Sequence, residues 1–436
     1  MTTSAPRAAD VIKYPGWSMV FVGAVCMGIT FGLPISTLPL IYGEVIREFG
    51  WTRTAATLAF TYKDMLAAVI SLFIVAPFLE KLGLRVMMIM ATLMTGTAML
   101  SFLLINSLLT YNLAILAMGA GQAFTILGVK ILVSRWFTRR QGLAIGLALT
   151  GTSVGGALFP LIFNMLSEGY GWRMAMAILS LGIWVFALPL YVLIARERPT
   201  EQEIAPEAVK APPGSDAAQI LKEAELGLTF RDILRMPMFW LACVAIAVIQ
   251  SVDSALFQHT ALFITHDVGL SAAVAAGVLS GTFALGLISK VFAGWVFDTF
   301  SMRGVQIWWV FIGLAILLAF AVNGMMTLIL FAAARGIVHG GLVAESPIIA
   351  KHCFGPKLMN KVLPIFTGFL AVGGGLGPAL LSACADHYGD YKVGFMVLIG
   401  LTVIAVIIIG FVRPLYRLKI LELSRQPVAP PIGPAV

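Results

Sequence analysis

The chain has 436 residues, of which 59% are hydrophobic and 11% are charged, and its formal net charge is +8. An ordinary soluble domain carries roughly 25% charged residues, so this composition excludes that class and indicates a polytopic membrane protein. The four cysteines form no CxxC pair, so we predict neither a disulfide framework nor a metal site, and we expect no cofactor.

Twelve apolar runs are each long enough to cross a bilayer, which takes about 17 to 25 helical residues. In chain order they lie at 17–42, 55–79, 84–105, 111–134, 143–166, 174–195, 238–264, 268–297, 305–325, 327–350, 362–384 and 393–414. Their polarity does not alternate as it does in the strands of a membrane barrel. The sequence therefore predicts an all-α polytopic membrane protein with twelve transmembrane helices.

Basic residues are distributed unevenly between the two sets of loops. If the spans alternate in direction, 21 of the 29 Lys and Arg residues lie on the side of the N-terminus. The positive-inside rule then predicts that both termini are cytoplasmic, in a multi-pass protein of the plasma or cell inner membrane. Because topology explains the basic excess, we expect no nucleic-acid partner. The first apolar run is too long for a signal peptide, so we expect the N-terminal segment to be retained.

Three motifs recur after 218 residues, half the length of the chain. "GGALFP" (155–160) recurs as "GGGLGP" (373–378), "EGYGW" (168–172) as "DHYGD" (386–390), and "APFLEKLGLR" (76–85) as "GWVFDTFSMR" (294–303). An internal repeat of this kind predicts two pseudo-symmetric six-helix halves. We place them at 1–195 and 236–420, with a cytoplasmic linker containing one or two short helices at 196–235 and a disordered tail at 421–436.

Two six-span halves joined by a polar loop resemble the major facilitator superfamily. "FLEKLGLR" (78–85) resembles that superfamily's loop motif, in which acidic and basic residues bridge neighbouring helices. The resemblance implies a gating role for one acid and one base in each half: Glu80 and Arg85 in the first, Asp298 and Arg303 in the second.

Other motifs resemble the monocarboxylate transporter branch of the superfamily: "YPGW" (14–17), "SRWFTRRQGLAIGLALTGTSVGG" (134–156) and "YGDYK" (388–392). The resemblance implies a substrate site near the bilayer midplane, between the halves, that is opened alternately to either side. The glycine-rich part of the second motif matches G-x-S-x-G at 151–155. It lies in an apolar helix, so we interpret these glycines as packing residues and predict that the protein is not an enzyme.

Lys290 is the one charged side chain between Val268 and Phe297. A cation at the centre of a span costs about 2.5 to 3.5 kcal/mol on insertion scales, so it needs a reason to be there. The resemblance places a cationic ligand for the substrate carboxylate at this point of span 8. The alternative is a lysine that extends to the membrane surface. The chain departs from the family at Gly286 and Ile35, where the family has an Asp and a Lys.

Span 2 contains the adjacent charges Lys63 and Asp64. Neighbours on a helix point about 100° apart, which predicts that the two do not pair with each other. Lys63 is a candidate substrate ligand, or else a partner in an ion pair with a neighbouring helix. Asp64 is a candidate for proton coupling.

Asp253 lies beside a polar stripe of span 7 formed by Gln250, Ser254 and Gln258. A carboxyl group in such a place suits proton coupling, and the alternative is a structural salt bridge. Arg335 in span 10 is a candidate partner for Asp253 or a second carboxylate ligand. We interpret His259 and His339 as hydrogen-bonded packing residues.

These residues predict a secondary carrier of small organic monocarboxylates, with proton symport by alternating access. The candidate cavity has more cations than acids, which favours an anionic substrate. Two alternatives remain: a carboxylate exchanger, and proton-coupled efflux of amphipathic compounds. The expected partners are a small carboxylate, a proton and the lipid bilayer, and we expect the protein to function as a monomer.

Overall fold

The twelve predicted spans are all present in the computed structural model, which describes residues 14–137, 141–200, 203 and 227–425. Spans 1 to 6 are Gly16–Phe49, Arg53–Ile74, Pro77–Leu104, Leu108–Trp136, Leu143–Tyr170 and Trp172–Ile194. Spans 7 to 12 are Pro237–Asp267, Ala272–Phe300, Met302–Phe320, Met325–Leu342, Lys361–Tyr388 and Lys392–Gly410. The all-α polytopic fold is thus confirmed, with two pseudo-symmetric halves of six helices each.

Several helices continue beyond the apolar window that marks the span. The helix of span 10 covers Met325–Phe354, that of span 11 covers Pro356–Tyr388, and that of span 5 covers Gln141–Tyr170. We call the end of the bundle where span 1 begins and span 12 ends the terminus face, and the other end the opposite face.

The turn between spans 1 and 2 shows how local sequence ends one helix and starts the next. Gly50 has φ 67°, a left-handed conformation that favours glycine, and it closes the first helix. Thr52 is the N-cap of span 2, and its side chain accepts a hydrogen bond from the backbone N–H of Ala55 at 3.1 Å. The chain therefore reverses direction within three residues at the opposite face.

Glycines bring span 5 against span 1 and span 11 against span 7. A Cβ atom on Gly151 would lie 1.8 Å from the carbonyl oxygen of Ala24, so only glycine fits at this distance. The corresponding pairs are Gly155 with Gly28, Gly373 with Ala247, and Gly377 with Ser251. This agrees with the packing role predicted for the first-half glycines, because small residues let helices associate closely in lipid.

Two predicted connecting segments are described only in part. Within the predicted linker, Phe230–Arg235 forms a short helix capped by Thr229, whereas 201–202 and 204–226 lie outside the described residues. A helix at Leu415–Arg425 includes the first five residues of the tail predicted to be disordered. The rest of that tail, 426–436, lies outside the described residues.

Candidate functional site

Asp253 in span 7 is the centre of a buried charged cluster. Its carboxylate lies 2.6 Å from Arg335 Nη1, and Arg335 Nη2 donates to the Asp253 backbone carbonyl at 3.0 Å. His339 Nδ1 lies 3.1 Å from the other carboxylate oxygen. The side chains of Asp253 and Arg335 are only 4% and 1% exposed, whereas that of His339 is 19% exposed. The predicted partnership of Asp253 with Arg335 is confirmed, and His339 is the member of the cluster that faces open space.

Aromatic rings connect this cluster to the first half of the protein. The imidazole of His339 stacks on Phe257 with ring centroids 5.6 Å apart, and Phe283 of span 8 meets both rings edge-on. Phe283 also packs on Gly156 of span 5, where a Cβ atom would lie 2.4 Å from its ring. The cluster therefore lies next to the boundary between the halves.

The two histidines that the sequence assigns to packing differ in the structure. His259 contacts the hydroxyl of Tyr391 at 2.9 Å and the carbonyl of Pro378 at 3.0 Å, as expected of a hydrogen-bonded packing residue. His339 instead contacts a buried carboxylate, which the sequence interpretation did not anticipate. Its position one turn after Arg335 was the available signal, since residues four apart lie on the same helix face.

Lys290 reaches across the boundary between the halves. Its Nζ donates to Ser153 Oγ of span 5 at 2.6 Å, and the residue is half-buried. Within the described ranges, no Asp or Glu oxygen lies within 4.0 Å of this ammonium group. A neutral hydroxyl is thus its hydrogen-bond partner, in contrast to the other two cations predicted for the site.

Lys63 and Asp64 pair with each other, so the prediction that they do not is wrong. Lys63 Nζ lies 2.7 Å from Asp64 Oδ1. It also lies 3.4 Å from Gln122 Oε1 of span 4 and 4.2 Å from the ring centroid of Phe60. The two Cβ atoms do diverge, but the four-carbon stem of lysine is flexible enough to bring its ammonium group back. Lys63 is therefore buried within the first half.

Asp64 lies at the contact between span 2 and span 11. Its Oδ2 is 3.2 Å from the position that a Cβ atom of Gly374 would take, and its side chain is 19% exposed. One residue further along span 11, the Gly375 carbonyl accepts a hydrogen bond from Thr61 at 2.6 Å. Asp64, and not Lys63, is thus the member of the pair that faces the other half.

At the opposite face, polar contacts join the two halves. Asp386 at the end of span 11 accepts hydrogen bonds from the first two backbone N–H groups of span 2, Arg53 at 3.0 Å and Thr54 at 2.8 Å. The Arg53 side chain lies 3.3 Å from Asp267 and 2.7 Å from His266, both at the end of span 7.

A second contact lies deeper in the bundle, where Tyr42 donates to Gln258 at 2.8 Å. Together these contacts hold the two halves against each other on this side of the bundle. The sequence interpretation missed Arg53, Asp267 and Asp386, because each lies just beyond an apolar run and looks like an ordinary loop residue.

The predicted gating residues of the first half are not brought together. Glu80 is exposed, and the guanidinium of Arg85 donates to the Val192 carbonyl of span 6. The acid at this place is Glu197, which accepts from the Arg85 backbone N–H at 2.9 Å and lies 3.4 Å from Arg135. The loop therefore connects spans 3, 4 and 6 within one half.

The second copy of the loop motif shows the same behaviour. Arg303 is exposed, and the Asp298 carboxylate lies 4.0 Å from His352 of the span 10 helix. Arg417 donates to the backbone carbonyls of Asp298 and Thr299. At the terminus face these contacts again stay within one half, and the gating role of the motif stays a prediction.

In the part of the chain that the structure describes, no three His, Cys, Asp or Glu side chains group in a way that suits a metal ion.

Comparisons with known proteins give a consistent assignment. A family model described as Major Facilitator Superfamily matches residues 20–322 and 260–430. Monocarboxylate transporter 13 of Rattus norvegicus is 23% identical over 392 residues, which cover 88% of this chain and 85% of that protein. Monocarboxylate transporter 12 of Mus musculus is 24% identical over 329 residues, covering 69% and 65% respectively.

A solved structure is similar over nearly the whole chain. It is the crystal structure of a bacterial homolog to the human lysosomal transporter Spinster, in an inward-facing and unoccupied conformation. Its TM-score is 0.67 at 15% sequence identity, and the match covers 96% of this chain and 100% of that one. At this identity the likeness establishes the fold alone.

Proposed function

Because the chain belongs to the Major Facilitator Superfamily, in its monocarboxylate transporter-like branch, it is a membrane transporter, and we propose that it carries small organic monocarboxylates in symport with protons. In this proposal the two halves alternate access to a site between them. The terminus face is cytoplasmic, and the protein lies in the plasma or cell inner membrane.

The observation that carries the proposal is the environment of Lys290. Of the three candidate cations, Lys63 and Arg335 already have acidic partners, whereas Lys290 has the hydroxyl of Ser153. An opposite charge close to a half-buried ammonium group favours its charged form. A substrate carboxylate at Lys290 would supply that anion and would contact both halves at once.

Asp253 is the residue that we assign to proton coupling. Its carboxylate forms an ion pair with Arg335. Arg335 Nε has no hydrogen-bond partner in the described part of the protein. A proton on Asp253 would remove the charge that holds Arg335 and free the guanidinium for a second carboxylate contact. His339, which touches the same carboxylate and is partly exposed, is placed to pass that proton. Asp64, at the contact between spans 2 and 11, is the second candidate.

Uptake into proteoliposomes tests the substrate class. Radiolabelled short-chain and aromatic monocarboxylates are presented with and without a pH gradient that is acidic outside, and wild type is compared with Lys290→Gln. The control is Lys351→Gln, which removes the charge of an exposed lysine in the same half. We expect gradient-driven uptake in wild type and in the control, and its loss in Lys290→Gln.

Other outcomes would redirect or refute the proposal. Uptake that needs a carboxylate inside the vesicle and ignores the pH gradient would indicate exchange. Equal uptake by wild type and Lys290→Gln would remove Lys290 from the site. Failure to transport any acid, together with proton-dependent transport of amphipathic cations, would favour efflux.

A further inference from the structure

Glu345 is a buried acid that is not among the predicted site residues. It lies where the helix Met325–Phe354 continues past span 10, and it is fully buried. The indole N–H of Trp309 in span 9 donates to Glu345 Oε2 at 2.6 Å. The second carboxyl oxygen, Oε1, is buried and has no hydrogen-bond partner in the described residues.

Among the described residues, no cation pairs with this acid. Across the described chain, no Lys, Arg or His nitrogen lies within 4.0 Å of its carboxyl group. Charged groups described on its own helix and on neighbouring helices have other partners or are exposed in the following cases. Arg335 and His339 contact Asp253, Lys290 contacts Ser153, His352 contacts Ser301, Arg417 contacts backbone carbonyls, and Asp298, Arg303, Lys351 and Lys361 are exposed. Asp253, which acts on Glu345 electrostatically, is negative as well.

The protonation state follows from these contacts. A carboxylate with one neutral donor and no cation pays a desolvation cost of several kcal/mol, which a single hydrogen bond does not offset. A neutral carboxylic acid avoids that cost: its carbonyl oxygen accepts from Trp309, and its hydroxyl is the unpartnered Oε1.

We propose that Glu345 is a proton-binding site, separate from Asp253, whose carboxyl group carries a proton in this conformation. Ionisation would favour exposure of the group to water and would therefore separate the span 10 helix from Trp309 of span 9. The bound proton thus stabilises the packing between these two helices. This inference does not depend on which substrate the protein carries.

Infrared spectroscopy of the purified protein tests the proposal directly, because a protonated carboxylic acid and a carboxylate absorb in separate bands. We expect the spectrum of wild type minus Glu345→Gln at neutral pH to contain a protonated-acid band. Trp309→Phe should shift this band to higher frequency, because the C=O group loses its hydrogen bond. Trp308→Phe is the matched control, since the indole of Trp308 donates to the Val338 carbonyl and not to Glu345.

Three results would overturn the proposal. The first is a difference spectrum in which Glu345→Gln has lost a carboxylate band. The second is a difference spectrum in which Glu345→Gln has lost neither a protonated-acid band nor a carboxylate band. The third result applies if Glu345→Gln does not fold. In that case, equal spectra for the variants Trp309→Phe and Trp308→Phe would refute the assignment of the proton to Glu345.

Discussion

Replacement of Asp386 by alanine should open the opposite face of the bundle. Asp386 belongs to the second half, and its carboxylate accepts hydrogen bonds from Arg53 N and Thr54 N, the first backbone donors of span 2 in the other half. These donors have no partner within their own helix, because the first four N–H groups of a helix never do. The carboxylate also interacts favourably with the positive end of the helix dipole.

The magnitude follows from the two bonds and their exposure. A hydrogen bond to a charged group contributes about 1.5 to 3 kcal/mol when it is buried. Asp386 is exposed, so solvent screening reduces each bond to about 1 kcal/mol and the pair to roughly 2 kcal/mol. Since 1.4 kcal/mol changes an equilibrium tenfold, the ratio of closed to open opposite face should fall about 30-fold.

Distances between two spin labels at the opposite face measure this shift. Suitable positions are Tyr170 at the end of span 5 and Asn323 between spans 9 and 10, both exposed and in different halves. Each is replaced by cysteine in a Cys384→Ala background, because the other three cysteines are buried. We expect Asp386→Ala to populate longer distances than its parent.

Asp390→Ala is the matched control for loss of an acid at this face. Asp390 lies four residues away, and its carboxylate contacts Lys392 within the same half, at 3.8 Å from Nζ. Its removal should leave the distances unchanged. If the distributions of Asp386→Ala and Asp390→Ala coincide, the contact of Asp386 with span 2 does not hold the face closed.

Two further predictions concern stability, measured by thermal unfolding in detergent. Gly151→Ala should destabilise the protein by about 1 to 3 kcal/mol or more, because its Cβ would lie 1.8 Å from the Ala24 carbonyl oxygen. Gly146→Ala on the same helix has no heavy atom within 4 Å of the new Cβ and should be tolerated, so equal losses would argue against the close contact. Asp253→Asn should cost about 3 to 5 kcal/mol, because it leaves Arg335 buried without its countercharge. Adding Arg335→Gln should recover part of that loss, and a double variant that loses the sum of both single effects would show that the pair is not coupled.

The sequence by itself determined the number and order of the spans. Each span must satisfy its own backbone hydrogen bonds and cover the bilayer with apolar side chains, which are local properties of the chain. Apolar runs predict the ends of helices less accurately, since helix ends depend on caps and not on apolarity. The apolar run predicts that span 1 ends at 42, but its helix continues through the polar residues Glu44 and Arg47 to Phe49, before the left-handed Gly50.

Tertiary structure alone decided how the charged residues are partnered. The sequence identified Lys63, Asp64, Asp253, Lys290 and Arg335, because a charge in an apolar run is conspicuous at any position. Which of them pair depends on the rotation of each helix about its axis and on where a flexible side chain ends. These are properties of packing between helices distant in the chain. For that reason Asp386 looked like a loop residue in the sequence, and only the packed structure places it on the first turn of span 2.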